Sequence, residues 1–399
     1  MNLLSPIDIA GIALRNRIAV APMSRTQADA HGHPAAETAA YYARYARHGA
    51  GLVITEALYT AGPAARAYFN QPGLASEAQA EHWRAAVRAV HQEGGRVIAQ
   101  LQHAGKLAEP GLHARPLGLV DGAAQGLSWQ TQQPNAPAHA ATAEEIERII
   151  EGFALSARLA HYAGFDGVEI HGARGYLVND FLSAYNVRDD EWGADRARIA
   201  EAVLRAVRQA CPLPIGFNYS IYKMDEYRYQ PPGGGAEIAA LLARLCQAGA
   251  DILHISSRRV LKPEPWGGLL AQLARAAAPK ALMVNGGLAT LQDCETVLAA
   301  TQADLVSLAR PFLANPDWLA RSLAGEPLRA YEPGMEQRPC SIEPAAGPRP
   351  GAGRLAPHGK RHLRQGCLSP SGQAPLSTPC TLDRQSGLCP APDRRKKAA

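Results

Sequence analysis

Short, continuously apolar runs alternate along the chain with longer stretches in which apolar positions recur at helical spacing. The apolar runs predict eight strands: Ile18–Ala21, Leu52–Thr55, Val97–Leu101, Gly167–Ile170, Ile215–Tyr219, Ile252–Ile255, Ala281–Val284 and Leu305–Leu308. The amphipathic stretches predict helices: Glu37–His48, Ala80–Glu93, Ala143–Ala163, Asp195–Ala210, Ala236–Ala248 and Leu291–Ala300. Strands that are apolar on both faces are typical of a parallel sheet covered by helices.

Eight strand-then-helix units over residues 1–335 favour one α/β domain, a (β/α)8 TIM barrel. A doubly wound sheet is the alternative, but no G-x-G-x-x-G follows the first strand. Residues 103–142 form a long Gly/Pro-rich insertion after the third strand, and insertions of this length are usually lids or binding loops.

Residues 336–399 differ in composition from the rest of the chain. They hold 10 Pro and 7 Gly in 64 residues without apolar periodicity, which predicts a disordered tail. The sequence leaves open whether this tail is native or the product of a shifted reading frame. Its 11 Lys/Arg against 4 Asp/Glu give +7, and since the whole chain carries +5, residues 1–335 carry −2.

The charge, apolar runs and cysteines exclude several classes of protein. A slightly acidic domain argues against a nucleic-acid partner, and no run of 18 apolar residues predicts a membrane helix. The N-terminus lacks a signal-peptide layout, which predicts a cytoplasmic protein. Seven scattered cysteines predict reduced thiols and no metal site. A homodimer is compatible with the sequence, which does not settle the oligomeric state.

Polar residues follow the predicted strands, where a barrel of this kind builds its active site. Gly286 and Gly287 at a helix start, with Arg310 after the next strand, predict a phosphate site. The alternative is a tight turn, with Arg310 paired to Asp304 or Asp317.

His171 and Tyr176 flank the end of the fourth strand. A histidine can donate a hydrogen bond to a substrate oxygen, and a phenol can deliver a proton, so the pair predicts acid–base chemistry. The alternative is that both residues are structural.

Ordered motifs over residues 1–330 resemble the old yellow enzyme family of FMN-dependent NADH:flavin oxidoreductases and ene-reductases. The strings that carry the resemblance are Arg15–Arg25, Ile54–Ala57, Gln100–Gly105, Gly164–His171, Gly175–Leu182 and Ala309–Asp317. This resemblance implies a (β/α)8 barrel with FMN at its open end, NAD(P)H as reductant and a small activated alkene as substrate.

The resemblance also implies roles for individual residues. FMN would contact Pro22, Met23, Ser24, Ala57, Gln100, Asn218, Gly286, Gly287, Ala309 and Arg310. His171 would bind and polarise the acceptor carbonyl, flavin N5 would deliver hydride to the β-carbon, and Tyr176 would supply the proton. No metal is implied.

Three residues depart from the family pattern. Arg174 stands where the family usually has Asn or His, which predicts a preference for anionic acceptors unless the guanidinium pairs with Asp180 or Asp189. Asn218 replaces an arginine near the flavin, so a lower flavin potential, weaker FMN binding or compensation by Lys223 or Arg258 is expected. Ala309 replaces a glycine before Arg310.

Two other functions remain open on sequence alone. One is a degenerate flavin-binding barrel with a redox-sensing or binding role, which the three departures keep open. The other is a lyase or aldolase of the same fold, but its best candidate lysines, Lys106 and Lys223, are predicted to lie in loops.

Overall fold

The computed structural model describes residues 2–337. The strands are β1 (Ile7–Ile9), β2 (Ile12–Leu14), β3 (Ile18–Val20), β4 (Leu52–Tyr59), β5 (Arg96–Gln102), β6 (Leu117–Gly118), β7 (His139–Ala140), β8 (Gly167–Arg174), β9 (Ile215–Lys223), β10 (Ile252–Ser256), β11 (Ala281–Asn285) and β12 (Leu305–Leu308). The helices are α1 (Thr38–Arg47), α2 (Glu77–Gln92), α3 (Ala143–Ala163), α4 (Leu177–Phe181), α5 (Glu191–Ala194), α6 (Arg198–Ala210), α7 (Gly234–Ala248), α8 (Leu270–Ala276), α9 (Leu291–Thr301), α10 (Arg310–Ala314) and α11 (Trp318–Ala324). Short 3₁₀ turns cover Gly105–Leu107 and Met335–Gln337.

Eight parallel strands close into a barrel in the order β3-β4-β5-β8-β9-β10-β11-β12. Each of the eight predicted strands occupies one place in this ring, so the predicted (β/α)8 barrel is confirmed. Their continuous apolar runs fit this position, because one face of each strand packs inside the barrel and the other against the surrounding helices.

The helix ends follow the sequence signals. Thr142 caps α3 in a capping box with Glu145, which binds back to the Thr142 amide. Gly164 and Gly249 end α3 and α7 with positive φ angles of 89° and 119°, a conformation that suits glycine. The six predicted helices are present, with ends that differ from the prediction by at most three residues.

A hairpin that was not predicted closes the N-terminal end of the barrel. Strands β1 and β2 pair antiparallel, and Ile9, Ile12 and Leu14 pack into the barrel interior. These strands are three residues long and therefore too short to show a clear alternation of apolar and polar positions.

The other sequence predictions concern the insertion, the cysteines, the C-terminal tail and membrane helices. The insertion of residues 103–142 carries only one 3₁₀ turn and the two-residue strands β6 and β7, as its composition predicts. Cys211, Cys246 and Cys294 are free thiols, and burial raises the pKa of each. The tail predicted for residues 336–399 lies outside the described residues from position 338 onward. No helix within residues 2–337 is long and apolar enough to span a bilayer.

Candidate active site

The loop after β3 is held in place by a buried carboxylate. Glu56 Oε2 accepts hydrogen bonds from the backbone amides of Arg25 (2.7 Å) and Thr26 (2.9 Å). Burial raises the pKa of Glu56 to about 7, although both amides favour the ionised form. The loop segment Pro22–Ser24 stays partly exposed at the carboxyl ends of the strands, where the resemblance places the flavin ring.

A chain of buried hydrogen bonds crosses the barrel beneath this loop. Gln100 Nε2 donates to Glu169 Oε1 at 2.8 Å, and the other Glu169 oxygen lies 2.7 Å from His254 Nδ1. His254 Nε2 in turn lies 2.8 Å from Ser307 Oγ. These residues come from β5, β8, β10 and β12, with β9 and β11 standing between them, so their side chains meet inside the barrel.

This chain sets the orientation of the Gln100 amide. Because Nε2 is committed to Glu169, the amide oxygen is the end of the side chain that faces other partners. Within residues 2–337, Gln100 Oε1 accepts no hydrogen bond, so it is free to accept one from a ligand.

Asn218 does not carry the positive charge that the family usually has at its position. Its side chain is buried and donates to Ser256 Oγ at 3.1 Å.

Lys223 is the last residue of β9, which corrects the prediction that it lies in a loop. Its Nζ lies 3.3 Å from Asn179 O and 3.4 Å from Asp180 Oδ1, so Lys223 is engaged away from Asn218 and does not compensate for it.

Asp180 sits at the centre of a buried charge cluster behind Tyr176. Its carboxylate pairs with Lys223 and, at 3.2 Å, with Lys106, which also lies 3.0 Å from Asp225. Both lysines therefore tie α4 to neighbouring elements, and neither is a free amine of the kind that a Schiff-base aldolase needs.

His171 and Tyr176 lie together, with ring centroids 5.0 Å apart. His171 is buried, and its Nδ1 has no hydrogen-bond partner within the described chain. Burial lowers the pKa of His171 to about 3, and the charges of Arg174 and His254 act in the same direction. The imidazole is therefore neutral at physiological pH.

The Tyr176 hydroxyl belongs to an aromatic cluster that residue spacing did not reveal. It hydrogen-bonds the Tyr68 hydroxyl and lies 3.6 Å from Met224 Sδ. The Tyr68 ring packs edge-on against Trp129 of the insertion at 5.0 Å. Burial raises the pKa of both tyrosines, so both phenols keep their protons at neutral pH. The only hint in the sequence was the length of the insertion that supplies Trp129.

Arg174 is the last residue of β8 and lies between His171 and Tyr176 in the chain. The alternative in which it pairs with Asp180 or Asp189 is wrong, since no described carboxylate lies within ion-pair distance of its guanidinium and Asp180 is held by two lysines. The guanidinium carbon instead lies 5.8 Å from the centroid of the Tyr222 ring.

The predicted phosphate cradle lies at the ends of β11 and β12. Gly286 and Gly287 have φ angles of 142° and 75°, and a Cβ at Gly286 would collide with the carbonyl oxygen of Ser257. Arg310 is exposed over the Tyr331 ring at 5.3 Å. It pairs with neither predicted alternative, because the Asp304 carboxylate binds Arg275 and the Asp317 carboxylate faces Arg321.

Arg259 is a further cation at this cradle that sequence reasoning missed. It lies in the loop after β10, and a Cβ on Gly287 would stand 3.6 Å from its side chain. A double arginine directly after a strand, at Arg258 and Arg259, is the signal that could have found it.

These features fit FMN. The cradle offers bare backbone and exposed guanidinium groups for a phosphate, Gln100 offers an unused acceptor, and Ala57 on β4 lies in register with Gln100. Of the residues assigned to the flavin and the acceptor, Ala57, Gln100, His171 and Asn218 lie on barrel strands, and the others lie at or just beyond the carboxyl ends of the strands. Residues 2–337 contain no group of three or more side chains arranged to hold a metal ion.

Comparisons with known proteins agree with this reading. A model of the NADH:flavin oxidoreductase / NADH oxidase family matches residues 2–328. A chanoclavine-I aldehyde reductase of Penicillium roqueforti (strain FM164) is 32% identical over 349 residues, covering 83% of this chain and 91% of that protein. The 12-oxophytodienoate reductase 7 of Oryza sativa subsp. japonica is 30% identical over 358 residues, covering 82% and 89%.

Solved structures of similar proteins superpose on this chain over most of its length. An old yellow enzyme homologue from Zymomonas mobilis superposes with a TM-score of 0.77 at 27% identity, covering 87% of this chain and all of that one. Morphinone reductase in complex with tetrahydroNAD superposes with a TM-score of 0.75 at 28% identity, covering 84% and 94%.

Proposed function

This chain belongs to the NADH:flavin oxidoreductase / NADH oxidase family, and on that premise we propose that His171, Arg174 and Tyr176 bind and protonate an activated alkene at the open end of the barrel. The enzyme is an FMN-dependent oxidoreductase of the old yellow enzyme type. Its acceptor and the roles of its residues are the proposed part.

The unpartnered Nδ1 of buried His171 carries the proposal. A buried polar atom without a partner costs free energy, and a carbonyl oxygen of the acceptor would remove that cost by accepting a hydrogen bond. As a neutral imidazole, His171 can donate to this oxygen, where negative charge develops during reduction. Tyr176, 5.0 Å away between ring centroids, retains its proton and can deliver it to the α-carbon.

FMN would be held by residues around the rim. Pro22, Met23, Ser24 and Ala57 would line the ring, with Gln100 and Asn218 at its pyrimidine edge, and Gly286, Gly287, Ala309 and Arg310 would hold the phosphate. When bound, FMN supplies the hydride chemistry that links NAD(P)H to the alkene. The protein's part is to orient the ring, to exclude competing acceptors and to place the proton donor.

The reductant is NADH or NADPH, and the cytoplasmic location and a homodimer stay predictions. A degenerate barrel that binds flavin without reducing alkenes is the second candidate. It is favoured by Asn218, whose side chain turns to Ser256 and brings no charge to the flavin edge.

An absorbance experiment tests the proposal. The purified protein should retain FMN but not riboflavin, bleach when NADPH or NADH is added without oxygen, and recover its colour with cyclohexenone. Tyr176→Phe should bleach at the wild-type rate but recover about 100-fold more slowly, because only the proton donor is lost. Tyr162→Phe, on an exposed tyrosine, is the control. Bleaching without recovery by any alkene would favour the degenerate barrel.

A further inference from the structure

The backbone at Arg174 adopts a conformation that is unfavourable for arginine. Its φ angle is 64°, in the left-handed region, directly after an irregularity in the β8–β9 pairing. The Arg174 amide donates to Ser220 Oγ at 2.9 Å, and its carbonyl accepts from the Met224 amide at 2.9 Å. Strain of this kind persists where the surroundings enforce it, and it occurs most often at functional sites.

The acidic residues of α4 and of the segment after β9 are engaged with other partners. Asp180 binds two lysines, Asp225 binds Lys106, and Glu226 accepts a hydrogen bond from Tyr185. Buried Glu109, whose charge acts on the same tyrosines as Arg174, accepts hydrogen bonds from Gln130 and Thr131. Within residues 2–337, no carboxylate lies within ion-pair distance of the Arg174 guanidinium. Its charge acts on the active site instead, since it lowers the pKa of His171 and favours ionisation of Tyr68 and Tyr176.

A stack of aromatic rings supports the guanidinium. Tyr222 lies 5.8 Å from the guanidinium carbon, and Tyr227 stacks on Tyr222 at 6.2 Å with an interplanar angle of 14°. The Arg258 guanidinium carbon lies 5.1 Å from the Tyr227 centroid. A guanidinium that is supported through a ring face keeps its N–H edge available for a planar anion.

From this geometry we infer that Arg174 binds a carboxylate on the acceptor, so that the preferred substrate is an alkene bearing both a conjugated carbonyl group and a carboxylate. The inference rests on the proposed function, in which His171 receives the carbonyl. Arg174 stands three residues from His171 on the same strand end, so one small molecule can present an oxygen group to each. An arginine and a carboxylate match as a two-bond pair, which a neutral ester cannot form.

Binding to the oxidised enzyme tests this without turnover. The probes are 3-oxocyclohexene-1-carboxylate, its methyl ester and cyclohexenone, titrated against the flavin absorbance in the absence of NAD(P)H. Wild type should bind the acid more tightly than the ester. Arg174→Asn should reduce the acid-over-ester preference about 10- to 100-fold, since a charge-assisted pair is lost. Asparagine tolerates positive φ, so this variant should fold.

Two further variants sharpen the test. Arg174→Lys keeps the charge without the planar fork and should retain only part of the preference. Arg258→Asn removes the cation on Tyr227 and should change the preference less than about threefold, because Arg258 contacts Tyr227 whereas Arg174 contacts Tyr222. An equal acid-over-ester ratio in wild type and Arg174→Asn overturns the inference. If wild type binds the acid through Arg174 yet reduces none of the three probes, the proposed function fails, and only the binding of a carboxylate by Arg174 stands.

Discussion

The two ends of the barrel are built from the same eight strands but have opposite interiors. At the closed end the interior is apolar and the β1–β2 hairpin completes it; the cluster consists of Ile9, Ile12, Leu14, Ala19, Leu52, Ile54, Ile98, Ile252, Ala281, Met283 and Leu305. Towards the open end the interior is polar, with Gln100, Glu169, His254 and Ser307 joined in one hydrogen-bonded chain. Stability and chemistry are therefore separated along the barrel axis, as is typical of this fold.

The comparison teaches what each end requires. The closed end needs only apolar volume, and removing part of it leaves a cavity. At the open end each buried polar group needs its hydrogen-bond partner. A buried polar group that loses its partner destabilises the fold more than an apolar group in the same place would. A substitution at the closed end should thus change stability alone, whereas one at the open end should change ligand binding.

The largest effect is expected at the closed end. Ile9→Ala should lower the free energy of unfolding by about 2 to 5 kcal/mol, since the Ile9 side chain is fully buried beneath the barrel. FMN affinity should stay at its wild-type value. Chemical denaturation and a fluorescence titration with FMN measure the two quantities. Val187→Ala, at a 77% exposed position, is the control and should change stability by less than about 0.5 kcal/mol. A weaker FMN affinity in Ile9→Ala would show that the two ends are coupled.

A smaller effect is expected in the polar chain. Glu169→Gln should weaken FMN binding about tenfold, because one amide oxygen cannot accept from both Gln100 and His254, and the Gln100 amide is then free to rotate. Ser307→Ala is the matched control, since it removes only the far end of the chain. Equal FMN dissociation constants for the two variants would mean that Glu169 does not position Gln100.

The smallest effect is expected from pH. His171, with a pKa near 3, stays neutral, and Tyr176, with a raised pKa, stays protonated, so the rate of the alkene half-reaction should vary by less than roughly twofold between pH 5.5 and 8. Stopped-flow reoxidation of the reduced enzyme measures this rate. A titration near pH 6.5 that disappears in His171→Asn would show that the imidazole ionises and that the site is wetter than the structure indicates.

The lowered pKa of His171 and the raised pKa of Glu56 make the stability of the fold depend on pH in opposite directions. Below about pH 6.5 the unfolded chain binds a proton at His171 that the folded protein does not, so this contribution to stability is lost as pH falls towards 3. Glu56, with a pKa raised to about 7, holds a proton that the unfolded chain loses above about 4.5. Its contribution is present at acidic pH and is lost as pH rises through 7.

The sequence by itself determined the barrel and the strand ends on which the candidate site residues lie. Apolar runs such as Leu305–Leu308 and the glycines that end α3 and α7 report local preferences, which neighbouring residues suffice to express. Because each strand end of a parallel barrel opens at the same face, His171, Arg310 and Gln100 could be placed together before any contact was known.

Only the tertiary structure decided which partners these side chains meet. That Lys223 turns to Asp180, that Tyr68 reaches Tyr176, and that Gln100 is oriented by Glu169 are contacts between residues 43 or more positions apart in the chain. The hairpin β1–β2 likewise gains its stability from the barrel interior rather than from its own six residues. Long-range contacts of this kind depend on burial and packing, which local sequence patterns do not encode.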